Sequence, residues 1–233
     1  MRAGLEAHVL GRQIHAVQAP SARAVRRSFG GAGHLSASLP GRVPTAAVRR
    51  GKFVWLVTQG VDGGRSALLF HLGMSGQLLV RSEASDVAPK HLAVRLTFAD
   101  DGVLDFVDQR TFGYVALDAL VPTADGGPGG DAGAGTAGAE LPVQVAHIAR
   151  DLLDPTLKRP ALVGRMRTRR TTIKRALLDQ TLVSGVGNIY ADEALWRAKV
   201  HPEQPLAAMA AVTVRRVLDR AHEVMFEALA QGG

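Results

Sequence analysis

The stretch 121–142, VPTADGGPGGDAGAGTAGAELP, divides the chain into two halves with different hydrophobic periods. Gly, Ala, Pro and Asp dominate it and no apolar periodicity crosses it, so it reads as a flexible linker or a long exposed loop. An alanine-rich helix is the weaker alternative, because the glycines interrupt it too often. Before it, KFVWLVTQ (52–59), SALLFHL (66–72), GQLLVRS (76–82), HLAVRLTFA (91–99) and GVLDFVD (102–108) are short and rich in branched or aromatic residues. Turn residues separate them, and Asp100-Asp101-Gly102 is a hairpin signal. These strands predict an antiparallel sandwich or barrel-like domain over 1–120. Ahead of them, LEAHVLGR reads as a helix end stopped at Gly11. After the divide, VQVAHIARDLL (143–153), a span near 160–167, TIKRALLDQ (172–180), YADEALWRAKV (190–200) and Leu206 to about Gln231 follow a 3.6-residue period. They predict an all-α domain over 143–233, with Val212, Val217, Leu218, Ala221, Val224, Met225 and Leu229 sharing one face of the last helix. The fold class is α+β.

Composition narrows the function. A hydrophobic content of 46% over 233 residues supports a buried core and argues against wholesale disorder. Cysteine is absent, which excludes disulfides, Cys-based zinc or iron–sulfur sites and a thiol nucleophile from these residues. No run of about 18 apolar residues is present, and MRAGLEAHVLGRQIHAV has charge scattered where a signal peptide needs an apolar core, so no membrane association and a cytoplasmic location are expected. Lys and Arg total 28 against 21 Asp and Glu, a net charge of +7. Most of the basic residues are Arg, which a GC-rich genome can favour, so their distribution is the better test. Ala7 to Val61 holds eight basic residues and no acid, and Pro155 to Leu178 holds eight more, again without an acid. Two such tracts suit a phosphate backbone better than a merely solvated basic surface.

The sharpest local feature is TLVSGVGN (181–188), set between two helical patterns. Its glycines permit tight backbone geometry, and Asn188 is placed to cap the following helix. A helix N-terminus beside glycines leaves N–H groups free for phosphate, although an ordinary interhelical turn has the same pattern. The preceding RRTTIKR adds Arg169, Arg170, Lys174 and Arg175 to the neighbourhood.

LLDQTLVSGVGNIYADEALWRAKVHP (177–202) resembles the helix-two-turns-helix motif of the formamidopyrimidine-DNA glycosylases. HLGMSG (71–76), DQRTFG (108–113), RRGKFVW (49–55) and KHLAVRL (90–96) resemble further motifs of that family, in the same order. The resemblance implies a base-excision repair glycosylase with AP lyase activity, acting on oxidised purines or abasic sites in double-stranded DNA by base flipping, imine formation and elimination. A monomer bound to the nucleoid is the form it implies. Met74 would fill the space of the flipped base, Phe112 would wedge between bases, and Arg110 would read the estranged cytosine. His71, His91, Arg170 and Asn188 match positions that touch the DNA backbone, and Lys52 matches a proton donor in strand cleavage. On residue type alone, Met74 and Phe112 could equally be core, Arg110 and Lys52 solvated charges, and the two histidines structural.

The family reaction uses an N-terminal proline, whose amine attacks C1′, followed by a glutamate. Neither has a counterpart here, and the α-amino group of Met1 would emerge roughly 15 Å away at 1.5 Å per residue. The chain as written is therefore expected to be inactive on its own. The family's C-terminal four-cysteine zinc finger also has no counterpart, so no metal or other cofactor is expected within the 233 residues. A truncated glycosylase and a catalytically dead damaged-DNA-binding relative are the two readings; a basic RNA-binding protein would leave Met74, Arg110 and Phe112 without a purpose.

Overall fold

Strand-forming and helical segments separate as their periods require in the computed structural model, which describes residues 1–83, 87–135 and 137–231. The chain forms two units, Met1–Ala146 and His147–Gly233. In the first, helix α1 (Arg2–Val9) precedes β1 (Ile14–Gln18), α2 (Gly31–Ser38) and β2 (Val43–Arg50). Then follow β3 (Phe53–Gln59), β4 (Arg65–His71), β5 (Gln77–Arg81), β6 (Leu92–Phe98), β7 (Val103–Val107) and β8 (Tyr114–Asp118). Two four-stranded antiparallel sheets result, in the orders β1-β6-β7-β5 and β2-β3-β4-β8. Their facing side chains, including Val94, Leu96, Leu104 and Phe106 from one and Val54, Leu56, Leu68 and Phe70 from the other, form a single apolar core, joined by Leu5 and Val9 of α1. The hairpin expected at Asp100-Asp101-Gly102 joins β6 to β7, with Asp101 at φ 65°. Gly11, at φ 79°, follows the end of α1.

The segment 121–142 departs from the linker expectation. Strands β9 (Leu120–Pro122) and β10 (Glu140–Pro142) pair antiparallel inside it, and the whole stretch belongs to the first unit. Asp131 exchanges backbone hydrogen bonds of 2.8 Å in both directions with Arg49 of β2. Trp55, Val57, Ala67, Leu69 and Ala116 point away from the inter-sheet core yet are buried, as are Ala132 and Leu141 of the segment itself. A Cβ at Gly130 would run into the Arg49 carbonyl and lie 3.1 Å from Val48 Cγ1. The glycines there serve close approach of two backbones, which composition alone cannot distinguish from flexibility.

In the second unit, α3 (Arg159–Arg167), α4 (Ile173–Leu178), α5 (Asn188–Ala198) and α6 (Ala211–Ala230) enclose a core that includes Leu162, Met166, Leu177, Val186, Leu195, Val217 and Leu218. Two helical expectations fail. Residues 143–153 form only a 3-10 turn at Val143–Val145 and then irregular backbone, because Ala149 N–H bonds the Gln180 carbonyl and Ser184 N–H bonds the Arg150 carbonyl. That pairing with the two-turn loop displaces the helix ladder. On α6, Val212 and Leu229 are exposed while Val214 is buried. The buried stripe is Val214, Val217, Leu218, Ala221, Val224 and Met225, a 3.6-residue track that passes between the two misassigned positions.

Candidate nucleic-acid interface

Met74 lies on the turn from β4 to β5, and Arg110 and Phe112 on the turn from β7 to β8. Each turn leads from one sheet of the sandwich to the other, so Met74 lies on a crossover. The two crossovers touch. A Cβ at Gly73, whose φ is 62°, would lie 2.7 Å from Gly113 N and 2.9 Å from Phe112 Cβ. Gly113 has no room either, with His71 O and Phe106 Cζ both 2.7 Å from its would-be Cβ. Met74 remains 70% exposed and Phe112 46% exposed, against the burial normal for such side chains. The Arg110 guanidinium stands 5.2 Å from the Phe112 ring centre. Thr111 between them adopts φ 54°, so the segment that brings them together is bent and not extended. A β-branched residue in that region is strained by roughly 1–2 kcal/mol, so the surroundings must impose the bend.

Asp108, the first residue of the DQRTFG motif, to which the sequence reading gave no role, imposes part of it. Its carboxylate, 4% exposed, accepts from Ser75 Oγ at 2.6 Å, from Gly113 N at 2.7 Å and from Arg110 N at 3.3 Å. Burial pushes its pKa up, but the hydrogen bonds from Ser75 and from the Gly113, Arg110 and Thr111 amides outweigh burial and hold it below the ordinary carboxylate value. Ser75 Oγ in turn accepts from Arg110 N at 3.1 Å, tying the Met74 turn to the Arg110 turn. His91 enters at the same place: its carbonyl accepts from Asp108 N at 3.0 Å, while its own φ of 63° directs an exposed side chain outward.

Lys52 and His71 are neighbours at this end of the sandwich. Lys52 occupies the turn between β2 and β3, where burial lowers its pKa. His71 closes β4, packed 5.4 Å from the Tyr114 ring and 5.0 Å from the Phe53 ring. Burial lowers its pKa first, and the charges of Arg27, Lys52 and Arg26 lower it further, so it is neutral near pH 7. The structure thus brings Lys52, His71, Met74, His91, Arg110 and Phe112 to one end of the first unit.

The second unit carries Arg170, Lys174 and Asn188. Arg170 is exposed on the turn before α4. Lys174 on α4 pairs with Asp192 on α5 at 2.6 Å. Asn188 does not cap α5, because Gly187, with extended backbone at φ −103° and ψ 176°, occupies the capping position. Asn188 is the first helical residue, exposed beside the unpaired N–H groups of the first turn. Gln180 shapes this loop: its Nε2 donates to the carbonyls of Leu178 and Val186, both at 3.1 Å, and its Oε1 accepts from Gly185 N at 3.0 Å. No four-thiolate zinc site can form from residues 1–233, which contain no cysteine, and the described residues hold no cluster of three His, Asp or Glu suited to a metal.

The first unit presents exposed Met74, Arg110 and Phe112 on two linked crossovers, and the second is a helical unit with a two-turn loop and exposed Arg170. Residues 1–115 match the formamidopyrimidine-DNA glycosylase N-terminal domain, and residues 148–233 the H2TH domain of the same enzymes. The formamidopyrimidine-DNA glycosylases of Mycobacteroides abscessus and Kineococcus radiotolerans are each 48% identical over all of this chain, which covers 76% and 77% of them. Among solved structures, Lactococcus lactis Fpg in complex with abasic-site DNA superimposes with a TM-score of 0.77 at 26% identity, covering 100% of this chain and 78% of that one. A complex of the same enzyme with FAPY-dG-containing DNA superimposes equally well. The chain belongs to the formamidopyrimidine-DNA glycosylase family.

Proposed function

We propose that the protein recognises oxidised purines and abasic sites in duplex DNA for base-excision repair, with the crossover end of the sandwich reading the lesion. The observation that carries this reading is the contact of the Gly73–Ser75 and Arg110–Gly113 turns, which holds one flexible apolar, one aromatic and one guanidinium side chain together in solvent. Met74 fills the gap left by the extruded nucleotide, Phe112 unstacks the neighbouring step, and Arg110 offers its fork of donors to the unpaired base. His71 and His91, with Arg170, Lys174 and Asn188 of the second unit, meet phosphates; for Asn188 the free first-turn amides of α5 add to the attraction.

Lys52 acts as the proton-transfer group in strand cleavage. Desolvation lowers its pKa from the ordinary lysine value, the direction a lysine acid–base catalyst requires. The nucleophilic amine of the family reaction has no counterpart within residues 1–233, so the isolated 233-residue polypeptide binds lesions without forming an imine. Work in the cytoplasm follows from a DNA substrate; among the described residues no helix is long and apolar enough to cross a membrane.

Titration of the 233-residue chain with duplex carrying a tetrahydrofuran abasic analogue opposite cytosine, and with the same duplex undamaged, tests the reading. Lesion duplex should bind at least about tenfold more tightly, and both affinities should fall steeply with salt. Equal affinities would remove the lesion-reading role, and borohydride trapping of a covalent adduct would remove the inactivity of the isolated chain.

A further inference from the structure

The turn that carries Arg110 and Phe112 is gripped from its outer side by two arginines more than eighty residues earlier. They lie on and just after a 3-10 segment, Ala22–Val25, whose start is capped by Ser21 Oγ accepting from Ala24 N at 3.3 Å. Ala24 and Val25 are buried in the sandwich core and so fix the direction of their neighbours. Arg26 forks over the turn: Nη1 donates to Gly113 O at 2.8 Å and Nη2 to Phe112 O at 2.9 Å. Nη1 also donates to Arg23 O at 2.6 Å, and the guanidinium lies 5.5 Å from the Tyr114 ring centre. Arg23 Nε donates to Thr111 O at 3.1 Å. Three successive carbonyls, those of Thr111, Phe112 and Gly113, are thereby turned outward to guanidinium groups, while the Arg110 and Gly113 amides turn inward to Asp108.

Neither grip alone accounts for the conformation. The Asp108 side holds amides of the turn, those of Arg110, Thr111 and Gly113, but as an acceptor it cannot hold the carbonyls. Among the described residues, the Thr111, Phe112 and Gly113 carbonyls are held by the outer guanidinium pair. A planar fork with fixed N–H directions spans two adjacent carbonyls, which a single ammonium cannot reproduce.

We propose that Arg26, assisted by Arg23, is the positioning residue that holds Phe112 and Arg110 in their reading geometry, so that discrimination of lesion from intact duplex depends on it more than affinity for duplex does. The inference rests on the lesion-reading role given above to Phe112 and Arg110. In binding terms, the wedge is ordered before it meets DNA, and the entropy of fixing it is not charged to the lesion complex.

The test compares wild type, Arg26→Lys, Phe112→Ala and the double variant of the 233-residue chain. For each, the affinity for duplex with a tetrahydrofuran abasic analogue opposite cytosine is divided by that for intact duplex, with thermal unfolding followed alongside. Arg26→Lys keeps the charge and loses the fork. It should cut the preference at least about fivefold, while in the Phe112→Ala background the same change should alter it less than about twofold, because the wedge it positions is gone. Equal losses in both backgrounds, or no loss in the first, would overturn the proposal. If Arg26→Lys unfolds, Arg23→Lys, which releases only the Thr111 carbonyl, is read in the same cycle against the same criteria. A wild-type chain with no lesion preference refutes the functional reading and this inference together, whereas a discriminating wild type beside an equally discriminating Arg26→Lys refutes the inference alone.

Discussion

Replacing Asp108 by Asn changes one atom and should uncouple the two reading turns. The carboxylate accepts three close hydrogen bonds, from Ser75, Gly113 and Arg110, in a site closed to water. An amide keeps one acceptor oxygen and must aim an NH2 at groups that now donate. The least costly arrangement leaves the oxygen on Gly113 N–H and turns the NH2 toward Ser75 Oγ, which already accepts from Arg110 N. The loss is about one charge-assisted hydrogen bond, worth roughly 2 kcal/mol, or about a thirtyfold change in an equilibrium constant. Urea unfolding and lesion-duplex titration should both show it, the first as lower stability and the second as reduced discrimination. The pH dependence gives a separate check. Because the folded pKa is depressed, the stabilisation from ionised Asp108 is complete above the unfolded value of about 3.9 and is lost as pH falls through the folded value. The gap between wild type and Asp108→Asn should stay constant from neutral pH to about pH 5 and close below about pH 4. A stability change under about 0.5 kcal/mol with unaltered discrimination would refute the account of Asp108 as the joint between the turns.

Three further outcomes follow from the same contacts. His71 is neutral in the free protein, so contact with a phosphate should draw a proton onto it; lesion-duplex affinity should strengthen as pH falls from 8 to 6, by up to about tenfold per unit, and His71→Phe should flatten that slope in the same titration. Gln180→Ala removes three hydrogen bonds that close the two-turn loop and should lower chemical stability by about 2 kcal/mol, with amide exchange rising at Gly185. Asp105 is fully buried and binds Arg95 through both oxygens at 2.7 and 2.9 Å, with Arg81 as a further partner, so Asp105→Ala strands the buried Arg95 on the outer face of its sheet and should cost about 3–5 kcal/mol in a denaturant melt.

The strand and helix assignments were legible wherever one apolar face dominates, as in β3 through β7 and α3 through α6, because those periods follow from local backbone geometry. Strands β1 and β8 were not legible because their partners are distant in sequence, and β2 and helix α2 because they carry few large apolar residues. The motif residues could be picked out by resemblance, but the left-handed Thr111 that sets Arg110 beside Phe112 could not, since a positive φ at a β-branched residue is imposed by its surroundings.

By itself the sequence determined the two-part α+β architecture, the basic tracts, the family motifs and hence the family. What the tertiary structure alone decided is how those motifs are held. Asp108 joins turns thirty-odd residues apart, Arg26 reaches carbonyls 86 and 87 residues away, and a glycine-rich stretch serves as the cover of a sheet. Hydrophobic period is a property of neighbours along the chain, whereas the partner of a buried carboxylate, a guanidinium fork or a bare backbone is chosen only when the sheets close on one another.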